Sequence, residues 1–123
     1  MIKYKAVIVD DDIKIIILVE KALTELGFVV YSATEGKKAL ELVQDEKPDL
    51  LVSDILQPGL DGVRLCNLIK KDPQLSHTKI FLVTGVYNRT SFKLQMDCEP
   101  DAFIEKPVDM TQFQETVKRL ILE

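Results

Sequence analysis

Four short apolar runs in this chain each stop at a residue that can bind phosphate or a metal ion. The runs AVIV, DLLVS, IFLV and AFIE lead to Asp10, Asp54, Thr84 and Lys106. If the runs are parallel strands of one sheet, these side chains gather at its carboxyl edge, where open α/β sheets place their ligand crevice. The pattern therefore predicts one polar pocket assembled from four separate segments.

Strand-like runs alternate with helix-like runs along the chain, which is typical of a doubly wound parallel sheet between two layers of helices. The strand candidates are apolar without alternation, as expected of parallel strands buried on both faces. The five predicted strands span residues 5–9, 28–32, 49–53, 79–83 and 102–105. The five predicted helices span residues 13–26, 35–46, 62–71, 88–97 and 109–122. We expect a three-layer α/β/α fold.

Length and charge restrict the function classes. A chain of 123 residues fits one domain, residues 1–123. The net charge of −4, without a basic tract, argues against direct binding of nucleic acid or anionic lipid. No run approaches the roughly 20 apolar residues of a membrane span, so we expect a cytoplasmic protein without a membrane partner. The two cysteines, Cys66 and Cys98, are read as buried hydrophobes rather than a disulfide.

Three consecutive acids follow the first strand. Adjacent carboxylates repel each other unless a cation or a proton intervenes, so a pair of them is more informative than a single cap. We interpret Asp10 and Asp11 as metal ligands and Asp12 as the N-cap of the next helix. Clustered carboxylate oxygens suit Mg²⁺, with Mn²⁺ as an alternative.

The ends of the other three runs carry residues that suit phosphoryl transfer. Asp54 opens the loop DILQPGLDG, and a carboxylate can attack phosphorus to form an acyl phosphate. Taken alone, Thr84 is an ordinary β-branched strand residue and Lys106 an ordinary edge charge. Their register with the acids favours a hydroxyl and an ammonium that bind the phosphoryl group. Lys106-Pro107 indicates a fixed turn whose cis or trans state the sequence leaves open.

Together, these motifs resemble the receiver domain of two-component response regulators over essentially the whole chain. The matching segments are VIVDDD, the loop from Asp54 to Gly62, VTG at 83–85 and FIEKP at 103–107. The resemblance implies a flavodoxin-like fold with strand order 2-1-3-4-5. It also implies a phosphorylation-controlled signalling domain. A histidine kinase or phosphotransfer protein would supply the phosphoryl group, and an unknown downstream protein or output domain would respond.

The resemblance also implies roles at the metal site. Asp54 is the expected phosphoacceptor and a metal ligand. Asp11 is the expected direct ligand of Mg²⁺, and Asp10 binds the ion through water. The backbone carbonyl of Leu56 completes the protein's share of the coordination.

The remaining roles concern the phosphoryl group and the switch. Lys106 is expected to pair with the phosphoryl group and Thr84 to donate a hydrogen bond to it. Phe103 occupies the position of an aromatic switch. Leu56 and Val86 occupy two positions that tune self-dephosphorylation, and both are apolar, so we expect slow loss of phosphate.

The sequence departs from the usual family pattern in two places and is unusually apolar in a third. Gln57 replaces a common methionine. Glu99-Pro100 replaces Gly-Ala, and this second change suggests that the fourth predicted helix ends early or is displaced.

The first helix is more apolar than one buried face requires. We expect a core stripe of Ile15, Leu18, Ala22 and Leu23, with Ile13, Ile16 or Ile17 facing solvent. Such a surface could receive the helices of a kinase or could be an ordinary apolar face.

Two other function classes remain open at this point. Asp10-x-Asp12 after an apolar strand is similar to the start of haloacid-dehalogenase phosphatases, in which Asp10 would be the nucleophile. The chain is short for that fold with a substrate cap. The second alternative is a binding scaffold that never meets phosphate. The residue that becomes acylated distinguishes these classes.

Overall fold

Five parallel strands form one sheet in the order β2-β1-β3-β4-β5, as the resemblance implied. The structure is a computed structural model that describes residues 3–56, 59–85 and 99–123. Each strand lies within one residue of its predicted bounds. The strands are β1 Lys5–Val9, β2 Val29–Ala33, β3 Leu50–Asp54, β4 Lys79–Thr84 and β5 Ala102–Glu105.

Four α-helices lie within the described residues. They are α1 Ile13–Glu25, α2 Gly36–Glu46, α3 Gly62–Lys71 and α4 Met110–Val117, which continues as a π-helical turn over Lys118–Leu122. The helix predicted at 88–97, and with it the effect expected of Glu99-Pro100 on that helix, lies outside the described residues. None of the helices within the described ranges is long and apolar enough to cross a membrane.

The sheet is buried on both faces, which explains why its strands do not alternate in polarity. On one face Ile8 and Val52 pack in a cluster with α1 and α4, including Phe113. On the other face Val7 and Leu51 pack in a cluster with α2 and α3. The predicted three layers are therefore present.

The predicted core stripe of α1 is partly wrong. Ala22 and Leu23 are buried as expected, but Ile16 and Val19 are buried instead of Ile15 and Leu18, which are only partly covered. The buried face of the helix is thus rotated by about half a residue step, roughly 50°, relative to the expected orientation. Ile13 and Ile17 do face solvent, with 55% and 60% of their surfaces exposed.

Two acids cap helices, and the first of them, Asp12, is the N-cap that the sequence predicted. The Asp12 carboxylate accepts a hydrogen bond of 2.9 Å from the backbone N–H of Lys14 at the start of α1. The Asp109 carboxylate accepts one of 3.0 Å from Gln112 N–H at the start of α4. Asp12 therefore caps α1 as expected, while Asp10 accepts a different local hydrogen bond through Oδ1, from the backbone N–H of Asp12 at 2.9 Å.

Backbone hydrogen bonds align the carboxyl ends of the strands. Asp10 N–H donates to the carbonyl of Ala33 at 3.3 Å. Lys106 N–H donates to the carbonyl of Thr84 at 2.9 Å, which brings the segment after β5 beside the end of β4. The polar residues predicted at the strand ends consequently share one edge of the sheet.

Candidate functional site

Three carboxylates meet at the carboxyl edge of the sheet. Asp10, Asp11 and Asp54 each offer an oxygen, and these oxygens all lie within 4.8 Å of one another. Asp10 and Asp54 are 1% and 8% exposed, whereas Asp11 is exposed to solvent. Two of the acids therefore lie in the floor of the site and the third at its rim.

Lys106 places an ammonium group between the two buried acids. Its Nζ atom lies 3.3 Å from Asp10 Oδ2 and 3.6 Å from Asp54 Oδ2. Lys106 follows β5, and its peptide bond to Pro107 is cis. One positive charge thus neutralises part of the charge of three carboxylates, and the site keeps an excess of negative charge.

The crowding changes the protonation equilibria of the buried groups. Burial is the main cause that raises the pKa of both Asp10 and Asp54 above 3.8. The charge of Asp10 raises the pKa of Asp54 further. Burial alone would lower the pKa of Lys106, but the charges of Asp54 and Asp10 outweigh it and raise that pKa. A bound cation would relieve the repulsion that these shifts reflect.

Two buried polar atoms at this edge of the sheet lack a hydrogen-bond partner among the residues that the structure describes. One is Asp10 Oδ2, which is in ion-pair contact with Lys106 but outside hydrogen-bond geometry. The other is the hydroxyl oxygen of Thr84, a residue that is only 2% exposed. Buried groups without partners are costly, and such atoms commonly mark the position of an ion or a ligand. The donor set fits a hard cation together with phosphoryl oxygens.

The other predicted site residues lie at different depths. Leu56 follows β3 and is 54% exposed, at the start of the loop that leads to α3. Phe103 lies in β5 and packs, partly buried, against the cluster under α2 and α3. Val86 and Gln57 lie outside the described residues.

The sequence analysis missed the contacts that hold the Asp54 peptide in place. The Ser53 hydroxyl donates a 2.9 Å hydrogen bond to the backbone carbonyl of Asp54. The bare Cα of Gly62 packs against the same carbonyl oxygen, and a Cβ at residue 62 would lie 2.9 Å from the Cα of Ile55. Gly62, at the start of α3, could have indicated this contact from the sequence, because a glycine permits close backbone approach.

Replacing Asp54 by asparagine should stabilise the protein without metal at neutral pH, by roughly 1 kcal/mol, an ordinary size for a single substitution. The physical reason is the raised pKa of Asp54 in the folded state. Below pH 3.8, the ordinary value, the proton is bound in both folded and unfolded states and the carboxyl group costs little. As the pH rises through the folded-state pKa, the folded protein must hold a charge that the unfolded chain accommodates more easily.

The measurement is the free energy of unfolding by urea from pH 3.5 to pH 8 in the presence of a chelator. Asp54→Asn should gain stability over the wild type as the pH rises. Asp45→Asn, on the exposed side of α2, is the control and should track the wild type. Equal pH profiles for wild type and Asp54→Asn would contradict the charge-crowding explanation.

Comparisons with known proteins agree with this geometry. The sequence model of the family described as "Response regulator receiver domain" matches residues 6–118. The probable transcriptional regulator ycf27 of Guillardia theta is 29% identical over 119 residues, which cover 97% of this chain and 46% of that protein. The chain spans about half the length of the curated relatives it matches.

Solved structures share the fold. The signal receiver domain of a signal transduction histidine kinase from Syntrophus aciditrophicus is 28% identical, with a TM-score of 0.86 over 97% of this chain and 90% of that one. The receiver domain of the sensor histidine kinase PA1611 from Pseudomonas aeruginosa is 20% identical, with a TM-score of 0.85 over 99% and 100% of the two chains. Its structure has a magnesium ion coordinated in the active-site cleft.

The family match covers nearly the whole chain, and the strand order and the acidic edge agree with it. The chain belongs to the receiver domain family of two-component response regulators.

Proposed function

We propose that Asp54 accepts a phosphoryl group from a phosphohistidine donor and that Mg²⁺ binds beside it. One observation carries this proposal: the cluster of Asp10, Asp11 and Asp54, within 4.8 Å of one another, beside the ammonium of Lys106. An excess of buried negative charge favours a cation. The ammonium gives the transferred phosphoryl oxygens a fixed positive partner.

The transfer is a displacement at phosphorus. An oxygen of Asp54 forms a bond to phosphorus while the bond between phosphorus and the donor imidazole nitrogen breaks. The electron pair of the broken bond stays on that nitrogen, which is then protonated from solvent, and Asp54 becomes an acyl phosphate. Lys106 Nζ, 3.6 Å from Asp54 Oδ2, is placed to stabilise charge on the phosphoryl oxygens.

The residues that would hold the metal are Asp10, Asp11, Asp54 and the backbone carbonyl of Leu56. Bound Mg²⁺ supplies charge neutralisation and orientation of the phosphoryl oxygens. The buried Asp10 Oδ2, without a hydrogen-bond partner among the described residues, supports a cation or its water at this point. The magnesium ion in the PA1611 receiver domain supports the same assignment by analogy.

Thr84 and Phe103 would couple phosphorylation of Asp54 to a change in the surface that the domain exposes to partners. The Thr84 hydroxyl is buried and lacks a partner among the described residues, so a phosphoryl oxygen would give it an acceptor. Phe103 is only partly buried on β5, so an inward movement of its ring would bury more apolar surface. Phosphorylation would then shift a population between two surfaces rather than create a new fold.

The partners would be a protein donor and a protein reader. Receiver domains pair with histidine kinases and with output domains, and the matched relatives include both a transcriptional regulator and a kinase-linked receiver. Ile13, Ile17 and Leu56 are exposed at or near the segments that carry the acids. An apolar surface there supports docking of a donor protein close to Asp54.

Acetyl phosphate with Mg²⁺ should add one phosphoryl group to the wild type and none to Asp54→Asn, as measured by intact mass. Asp11→Ala should also lose labelling, by at least about a hundredfold in rate, because the metal-dependent neutralisation is lost. Its far-UV circular dichroism should stay native. Asp12→Asn is the matched control, since asparagine also caps a helix, and it should be labelled like the wild type.

Peptide mapping of the labelled residue separates this function from its alternatives. Label on Asp10 would favour a phosphatase-like nucleophile, although the other acid of that pattern, Asp12, is engaged as the N-cap of α1. No label on the wild type under conditions that saturate Mg²⁺ would favour a scaffold. Either result would refute Asp54 as phosphoacceptor.

The acyl phosphate should be lost slowly. Hydrolysis requires a water molecule held in line with phosphorus, and the apolar side chains of Leu56 and Val86 cannot orient it by hydrogen bonds. Leu56→Asn combined with Val86→Glu should accelerate first-order phosphate loss by about one to two orders of magnitude. Decay is followed by intact mass after the donor is removed. An unchanged half-life in the double variant would eliminate these positions as determinants of the rate.

A further inference from the structure

Gly36, the first residue of α2, lies in backbone contact with a loop far away in sequence. A Cβ at residue 36 would overlap the carbonyl oxygen of Leu60 and would lie 2.6 Å from its carbonyl carbon and 2.8 Å from its Cβ. Gly36 is buried and is not among the residues with positive φ. The glycine is therefore required by the close approach and not by an unusual backbone conformation.

Leu60 belongs to the loop between β3 and α3, which begins directly after Asp54. The far end of this loop is fixed on its own strand, because Gly62 N–H donates to the carbonyl of Ile55 at 2.9 Å and the Gly62 Cα packs on the Asp54 carbonyl. The contact with Gly36 is a second fixed point, on a different element. Leu56 lies between Asp54 and these two contacts along the chain.

An added methyl group at residue 36 would displace the loop rather than the helix. The α2 helix is held in the core by Ala39 and Val43, whose side chains are fully buried. In the loop, Gly59 is exposed and Leu60 is only partly buried. The element with fewer buried contacts moves more easily under strain.

We propose that Gly36 is a positioning residue for the metal site: it lets the Leu60 backbone approach α2 closely and so constrains the position of the Leu56 carbonyl, four residues earlier in the chain. This inference rests on the proposed function, in which that carbonyl binds Mg²⁺. Mg²⁺ demands near-ideal octahedral geometry, so a small displacement of one ligand weakens binding. Gly36 itself touches neither the metal nor the phosphoryl group.

The test is calorimetric titration of MgCl₂ into unphosphorylated wild type, Gly36→Ala and Lys37→Ala, well below each melting temperature. Gly36→Ala should raise the Kd for Mg²⁺ by roughly tenfold, at the low end of losses seen when residues that support metal ligands are changed. Lys37→Ala, the exposed neighbour in the same helical turn, should keep the wild-type Kd. A purely structural role for Gly36 would lower the melting temperature but leave the Kd of the folded protein unchanged.

Leu60→Gly provides a second route if Gly36→Ala does not fold. It removes the Leu60 Cβ that lies against Gly36 and frees the backbone at the same contact without overlap, so the Kd should rise about threefold or more. Wild-type Kd values in every folded variant would overturn the inference while leaving the proposed function intact. Failure of the wild type to bind Mg²⁺ or to be labelled on Asp54 would instead refute the proposed function, and this inference with it.

Discussion

Mutual repulsion among three carboxylates held at one edge of the sheet is the constraint on which the site depends. Asp10 and Asp54 are almost fully buried, and the only ammonium within ion-pair distance of them in the described residues belongs to Lys106. Burial raises the pKa of both acids, so the folded protein holds their charge at a cost. A cation bound among the three carboxylates would relieve that repulsion.

The fold maintains this unfavourable arrangement mainly by backbone contacts, which do not depend on the protonation state of the acids. Parallel register places the ends of β1, β3 and β4 side by side, and Lys106 N–H joins the segment after β5 to the Thr84 carbonyl. Gly62 packs against the Asp54 carbonyl, and the Ser53 hydroxyl donates a hydrogen bond to it. Gly36 lets the Leu60 backbone come into close contact with α2. Core packing on both faces of the sheet supplies the stability that compensates for the crowded charge.

The strands and the shared polar edge could be predicted, because short patterns within the sequence determine them. Non-alternating apolar runs located the strands within a residue, and the position of polar residues at their ends predicted the shared edge. The rotation of α1 could not be predicted, because Ile15 and Ile16 are equally apolar and only tertiary packing selects the buried one. The contact between Gly36 and Leu60 joins residues far apart in sequence, and neither residue carries a chemical signal by itself.

The most direct test of the account is the free energy of unfolding as a function of Mg²⁺ concentration, with ionic strength held constant by NaCl. If the carboxylate cluster binds a cation specifically, the free energy of unfolding of the wild type should rise by about 2.7 kcal/mol when Mg²⁺ reaches a hundred times its Kd. Asp11→Ala should gain much less, because one ligand is absent. An equal response of wild type and Asp11→Ala, or no gain beyond that of NaCl alone, would contradict the central claim.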